Sequence, residues 1–362
     1  MLKDTIASIG PLDDAAMAAC QLRIDNLTKP LGSLHGLEHL AVRMAGITGR
    51  PRPRDLGKHI ILMAADHGVA DEGVSAYPRE VTPQMVVNFC NGGAAINSFA
   101  RHAGAKLILV DIGVGVELPP MAGLCREKIA PGTANISRGP AMTREQALQA
   151  IAAGIRVARV AASEGAEVIG LGEMGIGNTT PSTAIIACYS RKTLSELTGR
   201  GTGLTVAAVA HKADVIARAL AVNRPDPADP LDVLAKVGGF EIAGLVGVII
   251  GAAACRAAVV LDGIITSAAA LLAVRLAPTT RDYLVGSHFS CEPAHKEALK
   301  IIGLDAYLHL NMRLGEGTGA ALGMRLIDAG LHVLNDMKTF GEAEVAVAQD
   351  GPGALRQRSD IV

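Results

Sequence analysis

The stretch AEVIGLGEMGIGNTTPS, residues 166–182, decides how the fold is read. Ala166 to Leu171 is a short apolar run with β-branched residues, the composition of a strand buried on both faces. It feeds directly into Gly172-Glu173-Met174-Gly175-Ile176-Gly177-Asn178-Thr179-Thr180-Pro181-Ser182, a glycine-rich turn ending in residues that start helices. Strand, tight turn and helix in that order form half of a parallel βαβ unit.

The same grammar recurs on both sides. Upstream, a strand at His59 to Ala65 ends in Asp66-His67-Gly68, and one at Lys106 to Val110 ends in Asp111-Ile112-Gly113. Downstream, Ala257 to Leu261 ends in Asp262-Gly263, and Tyr283 to Gly286 ends in Ser287-His288. A last apolar run, Ala306 to Leu310, reads as the strand before Arg313-Leu314-Gly315-Glu316-Gly317-Thr318-Gly319-Ala320. Helical patterns lie between: Asp13 to Asn26, Ser33 to Ile47 with Ser33 as N-cap, and Gln84 to His102. Others are Ser182 to Ser190, Val206 to Val222, Phe240 to Ala254, Ile264 to Leu276 and Gly319 to Asn335. Thr143-Arg144-Glu145-Gln146 is a capping box opening a further helix to Ser163. Residues 115–142 read as irregular and 223–230 as a turn cluster. The fold expected is α/β, a doubly wound, mostly parallel sheet.

Composition narrows the function. With 34 basic and 35 acidic residues in 362, net charge is −1, which argues against nucleic acid as a partner. There is no Trp, with 4 Tyr and 5 Phe, so aromatic stacking platforms for single strands are not expected. The 6 cysteines are widely spaced without any CxxC, so no metal site is expected and reduced thiols in the cytoplasm are. The start MLKDTIASIGPLDD lacks signal-peptide character. Ile242 to Cys255 is the most membrane-like run, but it is too short to span, and no membrane partner is expected.

Two loops carry the chemistry. A carboxylate at Glu316, held among glycines at a strand-to-helix junction, reads either as a general base on a ligand at the sheet edge or as a solvated acid in a glycine-rich loop. The Glu173 loop offers Gly175, Gly177, Asn178, Thr179 and Thr180 as backbone and hydroxyl donors to a phosphate, or is a structural loop with a capping Thr. It matches neither a phosphate-binding GxxxxGK[ST] nor a dinucleotide GxGxxG. Gly201, Thr202 and Gly203, with Lys212 two turns into the next helix, form a second phosphate cradle or a solvated surface. His67, His288, Asp66 and Asp262 also stand at strand ends, as ligands or as structural groups. No GxSxG elbow occurs. These residues alone suit a nucleotide or sugar-phosphate transferase and do not name its substrate.

LTKPLGSLHGLE (27–38), AADHGVADEGVSAYPREVTPQMVVNF (64–89), NGGAAIN (91–97), GEMGIGNTTPS (172–182), GRGTG (199–203), VLDGIITSAAALLA (260–273) and RLGEGTGAAL (313–322) together resemble the nicotinate-nucleotide–dimethylbenzimidazole phosphoribosyltransferases, which assemble the lower ligand of cobalamin. The first motif departs from the family with Leu31 in place of Pro and His35 in place of Gly. The resemblance implies a homodimer with a Rossmann-like catalytic domain at 50–325 and a small helical domain of 1–49 plus 326–362. It implies transfer of the phosphoribosyl group of nicotinate mononucleotide to 5,6-dimethylbenzimidazole, with inversion and without a cofactor. It places the catalytic base at Glu316, a second active-site carboxylate at Glu173 and the phosphate-contacting lysine at Lys212. Tyr77, Pro78, Gln84 and Met85 are implied for the benzimidazole pocket, and Leu314 for substrate binding. An acceptor such as adenine or a phenol, or a non-catalytic nucleotide-binding paralogue, is the alternative.

Overall fold

The computed structural model describes residues 1–361. The chain divides into two compact units, one made of Met1–Gly10 and Lys58–Gly323, the other of Pro11–Gly57 and the segment from Met324 onward.

The larger unit is built on six strands: β1 (Lys58–Ala65), β2 (Lys106–Gly113), β3 (Leu124–Arg126), β4 (Val168–Met174), β5 (Ala258–Val260) and β6 (Leu284–Val285). They form one sheet in the order β3-β2-β1-β4-β5-β6, and every pairing is parallel. This is the doubly wound arrangement anticipated from the repeated strand–turn–helix pattern. Every residue of β1 after Lys58 is buried, as a strand covered by helices on both faces requires. The chain leaves β1 toward one side and β4 toward the other, so a crevice opens between their carboxyl ends, where such sheets bind ligands. Met63 pairs with Glu173 and Ala64 with Met174, which sets Glu173 at the mouth of that crevice.

Helices Arg144–Ser163 and Phe240–Ala254 pack so closely that their backbones touch. A Cβ on Gly154 would collide with the carbonyl oxygen of Gly244, and one on Gly247 with that of Ile151. A chain without Trp fills this layer with Gly and Ala in place of bulk. Among the described residues no helix is long and apolar enough to cross a membrane.

The smaller unit is helical, with Asp14–Asp25 and Gly36–Thr48 among its elements. Lys29 and Glu38, both buried, pair at 2.8 Å, and Arg23 donates to the Leu334 carbonyl and to Glu342. Ser33 does not cap the second helix. That helix starts at Gly36, after His35, whose φ of 29° is left-handed. A glycine at this position would adopt that conformation without strain.

Other local readings shift for physical reasons. The pattern taken as one helix from Gln84 to His102 is two, Val81–Cys90 and Ala95–Ala103, because Asn91-Gly92-Gly93 breaks the turn with Gly92 at φ 75°. β4 runs to Met174, so Glu173 belongs to a strand and not to the loop after it. Ala306 to Leu310 is not a strand; only an isolated bridge joins Leu308 to His288. The 115–142 stretch contains β3, and helices Pro230–Val237 and Pro293–Ile302 were not anticipated. Met1–Gly10 lies with the larger unit.

Candidate active site

Beyond the carboxyl ends of β4 and β5 lies a cleft of about 630 Å³, to which the segment after β1 also contributes. Apolar residues line it, among them Tyr77, Val81, Met85, Ile176, Ile264 and Leu314. So do polar ones: Glu173, Asn178, Thr179, Thr202, Ser290, Glu292, Arg313 and Glu316. Size and mixed lining suit a molecule with a flat apolar part and a charged part.

Glu316 sits just ahead of the helix Thr318–Asp336. Its φ is 63°, between Gly315 at 86° and Gly317 at 94°, so three successive residues are left-handed. For a residue with a Cβ this conformation costs roughly 1–3 kcal/mol and persists only where the surroundings impose it. The imposing group is Asp262, at the end of β5, whose carboxylate accepts the N–H of Gly317 at 3.0 Å and of Gly319 at 2.7 Å. Burial pushes Asp262 up to about 7, opposed by those N–H donors. Glu316 Oε2 accepts the Ile96 N–H at 3.1 Å, in the first turn of the helix Ala95–Ala103. Burial raises the Glu316 carboxyl above the usual range, and the Ile96 donor opposes that rise.

Glu173 stands across the Gly315 turn. A Cβ on Gly315 would strike Glu173 Oε1, so only glycine lets the two acidic residues approach there. Burial pushes Glu173 up to about 8; the Asn178 amide, donating to Oε2 at 2.5 Å, opposes this, while Asp262, Glu241 and Glu316 add to it. The two carboxyls therefore differ. Glu316 is tied to one backbone donor, whereas Glu173 has Asp262, Glu241 and Glu316 as acidic neighbours and is pushed up to about 8.

The second glycine loop packs beside the first. Lys212 is fully buried and donates to Thr179 Oγ1 at 2.6 Å, at the start of the helix Thr179–Ala187. Burial brings its ammonium down to about 8, and Glu292 counters that. The Gly201 N–H donates to Glu292 Oε1 at 2.8 Å, and its carbonyl accepts from Arg313 at 3.0 Å. Thr202 Oγ1 accepts the Ala76 N–H at 2.9 Å, joining this loop to the segment that carries Tyr77.

Of the residues singled out in the sequence, the cleft brings together Glu316, Glu173, Gly175, Asn178, Thr179, Gly201, Thr202, Tyr77, Met85 and Leu314. Lys212 stands one hydrogen bond behind its wall, through Thr179. Gly177, Thr180, Gly203, Pro78 and Gln84 do not line it. Thr180 is buried within the helix start, and Pro78 and Gln84 face outward on the exposed side of their segment. Of the strand-end groups, His67 pairs with buried Glu241 at 2.7 Å, Asp66 accepts the Gly115 N–H at 2.7 Å, and His288 is buried against Ser287. Sequence reasoning missed Ser290, Glu292 and the isoleucines. Glu292 sits before Pro293, at the start of a helix that was not anticipated, and belongs to no recognisable motif.

A family model described as phosphoribosyltransferase matches residues 9–345. A nicotinate-nucleotide–dimethylbenzimidazole phosphoribosyltransferase from Roseiflexus sp. (strain RS-1) is 55% identical over 346 residues, 96% of this chain and 98% of the relative. One of the same name from Geotalea uraniireducens (strain Rf4) is 53% identical over 346 residues, with the same coverage. The crystal structure of CobT from Thermus thermophilus superposes with a TM-score of 0.88 at 46% identity, covering 92% of this chain and 99% of that one.

Proposed function

The chain belongs to the phosphoribosyltransferase family, and on that premise we propose how its cleft transfers the phosphoribosyl group of nicotinate mononucleotide to 5,6-dimethylbenzimidazole. The products are α-ribazole 5′-phosphate and nicotinate, with inversion at the anomeric carbon. The observation that carries this assignment of roles is the Glu316 carboxylate, which accepts the Ile96 N–H in a turn bonded to Asp262 and lines a cleft with both apolar and polar residues.

Dimethylbenzimidazole has a pyrrole-type N–H, and attack through its other ring nitrogen generates a cation unless that proton leaves. Glu316 takes it as the new N–C1′ bond forms, a contribution of about 10²- to 10⁴-fold in typical enzymes. The C1′–N bond to nicotinate breaks with its electron pair returning to the pyridine nitrogen, so no acid is needed to expel it. The pyridinium charge of the bound nucleotide favours the ionised form of Glu173, which gives its proton to solvent before the chemical step and then stabilises the oxocarbenium-like carbon. Lys212, Thr179 and the Gly175 backbone serve the 5′-phosphate. The apolar lining residues, Met85 among them, receive the methylated base. The enzyme works as a homodimer in the cytoplasm.

The test is nicotinate release from nicotinate mononucleotide by the purified protein. Release that requires the benzimidazole and is accompanied by the α-riboside supports the reading. Release at the same rate without the base makes the protein a hydrolase, and no release at all makes it a binding protein.

A further inference from the structure

Glu292 is placed unlike the other acids of the cleft. It is buried, one oxygen accepts the Gly201 N–H at 2.8 Å, and the other, Oε2, has no hydrogen-bond partner among the described residues. It lines both the main cleft and an adjoining cavity of about 360 Å³ that also touches Gly199 and Cys291. Gly201 is thereby held on both sides, by Glu292 on its N–H and by Arg313 on its carbonyl. It also packs against the lysine: a Cβ on Gly201 would lie 3.3 Å from Lys212 Nζ and 3.1 Å from Thr179 Oγ1.

We propose that Glu292 is a positioning residue for the nucleotide's phosphate, holding the Gly201 peptide in place and acting as the counter-charge of buried Lys212. This deepens the proposed function and rests on Lys212 serving the phosphate. A buried ammonium beside only a hydroxyl is poorly solvated, and a carboxylate beyond the adjacent peptide favours its charged form. Other nearby groups do not replace it. Thr179 is neutral, Arg313 is itself a cation, Glu173 and Glu316 are bonded to Asn178 and Ile96, and His211, Asp214 and Arg200 are exposed. Burial lowers the lysine and Glu292 is the group that counters it.

The experiment measures kcat and kcat/KM for nicotinate mononucleotide across pH 6–10 for the full chain and for Glu292→Gln, Glu292→Asp and Lys212→Met. Gln keeps an acceptor for Gly201 but removes the charge. The alkaline limb of kcat/KM should then move down by about one pH unit, with nucleotide KM raised about five- to tenfold at pH 8 and kcat changed less than about twofold. Asp keeps the charge while withdrawing it from Gly201, and its limb should stay near that of the unaltered chain. An unmoved limb in Glu292→Gln, or the same displacement in both Glu292 variants, overturns the inference and leaves Glu292 a structural residue. Lys212→Met tests the underlying reading separately: unchanged nucleotide KM there removes Lys212 from the phosphate site, whatever Glu292 does.

Discussion

Glu316 and Ile96, 220 residues apart in the chain, are joined by one hydrogen bond from the Ile96 N–H to the Glu316 carboxylate at 3.1 Å. The bond orients the acid with one oxygen and adds the favourable field of a helix start. Burial still raises the carboxyl above its ordinary range. A base needs that balance, since a carboxylate held too low would be a weak proton acceptor.

Replacing Glu316 by Gln keeps the side chain's shape and an acceptor for Ile96, but removes proton acceptance. Turnover should fall about 10²- to 10⁴-fold, with KM for nicotinate mononucleotide changed only a few-fold. The unaltered enzyme should lose kcat/KM for the base as pH falls through the raised Glu316 value, and the residual activity of the variant should lack that acid limb. Steady-state kinetics against pH with each substrate varied decides this. Equal losses of turnover and nucleotide affinity would make Glu316 a binding group.

Glu173 and Asp262 give stability a pH dependence. Their carboxyls stand at about 8 and about 7 in the folded chain, above the ordinary 4.5 and 3.8. Protonated, they fold without penalty. As pH rises above the ordinary values the unfolded chain ionises first, and folded-state stability declines until pH passes about 8. Glu173→Gln removes one such group. Its melting temperature should match that of the unaltered protein near pH 5 and exceed it at pH 8.5 by several degrees, from a difference on the order of a few kcal/mol. Parallel melting curves across that range would refute the raised Glu173.

Asp262 should matter to catalysis without touching substrate. Asp262→Ala strands the N–H groups of Gly317 and Gly319 at a buried helix start. Stability should fall by roughly 1–3 kcal/mol for each donor left unpaired, and turnover by at least about tenfold as Glu316 loses its imposed conformation. Denaturant unfolding together with kinetics checks both. A destabilised variant with full turnover per folded molecule would show that Glu316 holds its conformation without Asp262.

Met85 lines the cleft and is half-buried. Met85→Ala should raise KM for dimethylbenzimidazole about three- to tenfold, in proportion to the apolar area removed. KM for the nucleotide should stay within about twofold. Competition between dimethylated and unsubstituted benzimidazole would read the same change as lost preference for the methylated base.

The sheet was legible in the sequence because its cause is local. Apolar runs of five to seven residues followed by glycine-rich turns favour short buried strands feeding helices, with Ala306 to Leu310 the exception, and repeating that unit favours parallel pairing. Glu316, Glu173 and Lys212 stood out for the same reason, as charges lodged in or beside glycine-rich turns. Tertiary structure decided what those charges face. Asp262 reads in sequence as a strand-end acid, and only the packing of β5 against the Glu316 turn makes it the cap that bends that turn. Glu292 carries no motif; its role comes from the meeting of a loop near residue 200 with a helix start near 293. The raised carboxyls and the lowered lysine likewise arise from burial, which depends on neighbours brought from distant parts of the chain. Local pattern specifies which elements form; the protonation and aim of the site residues belong to contacts that exist only once the sheet is assembled.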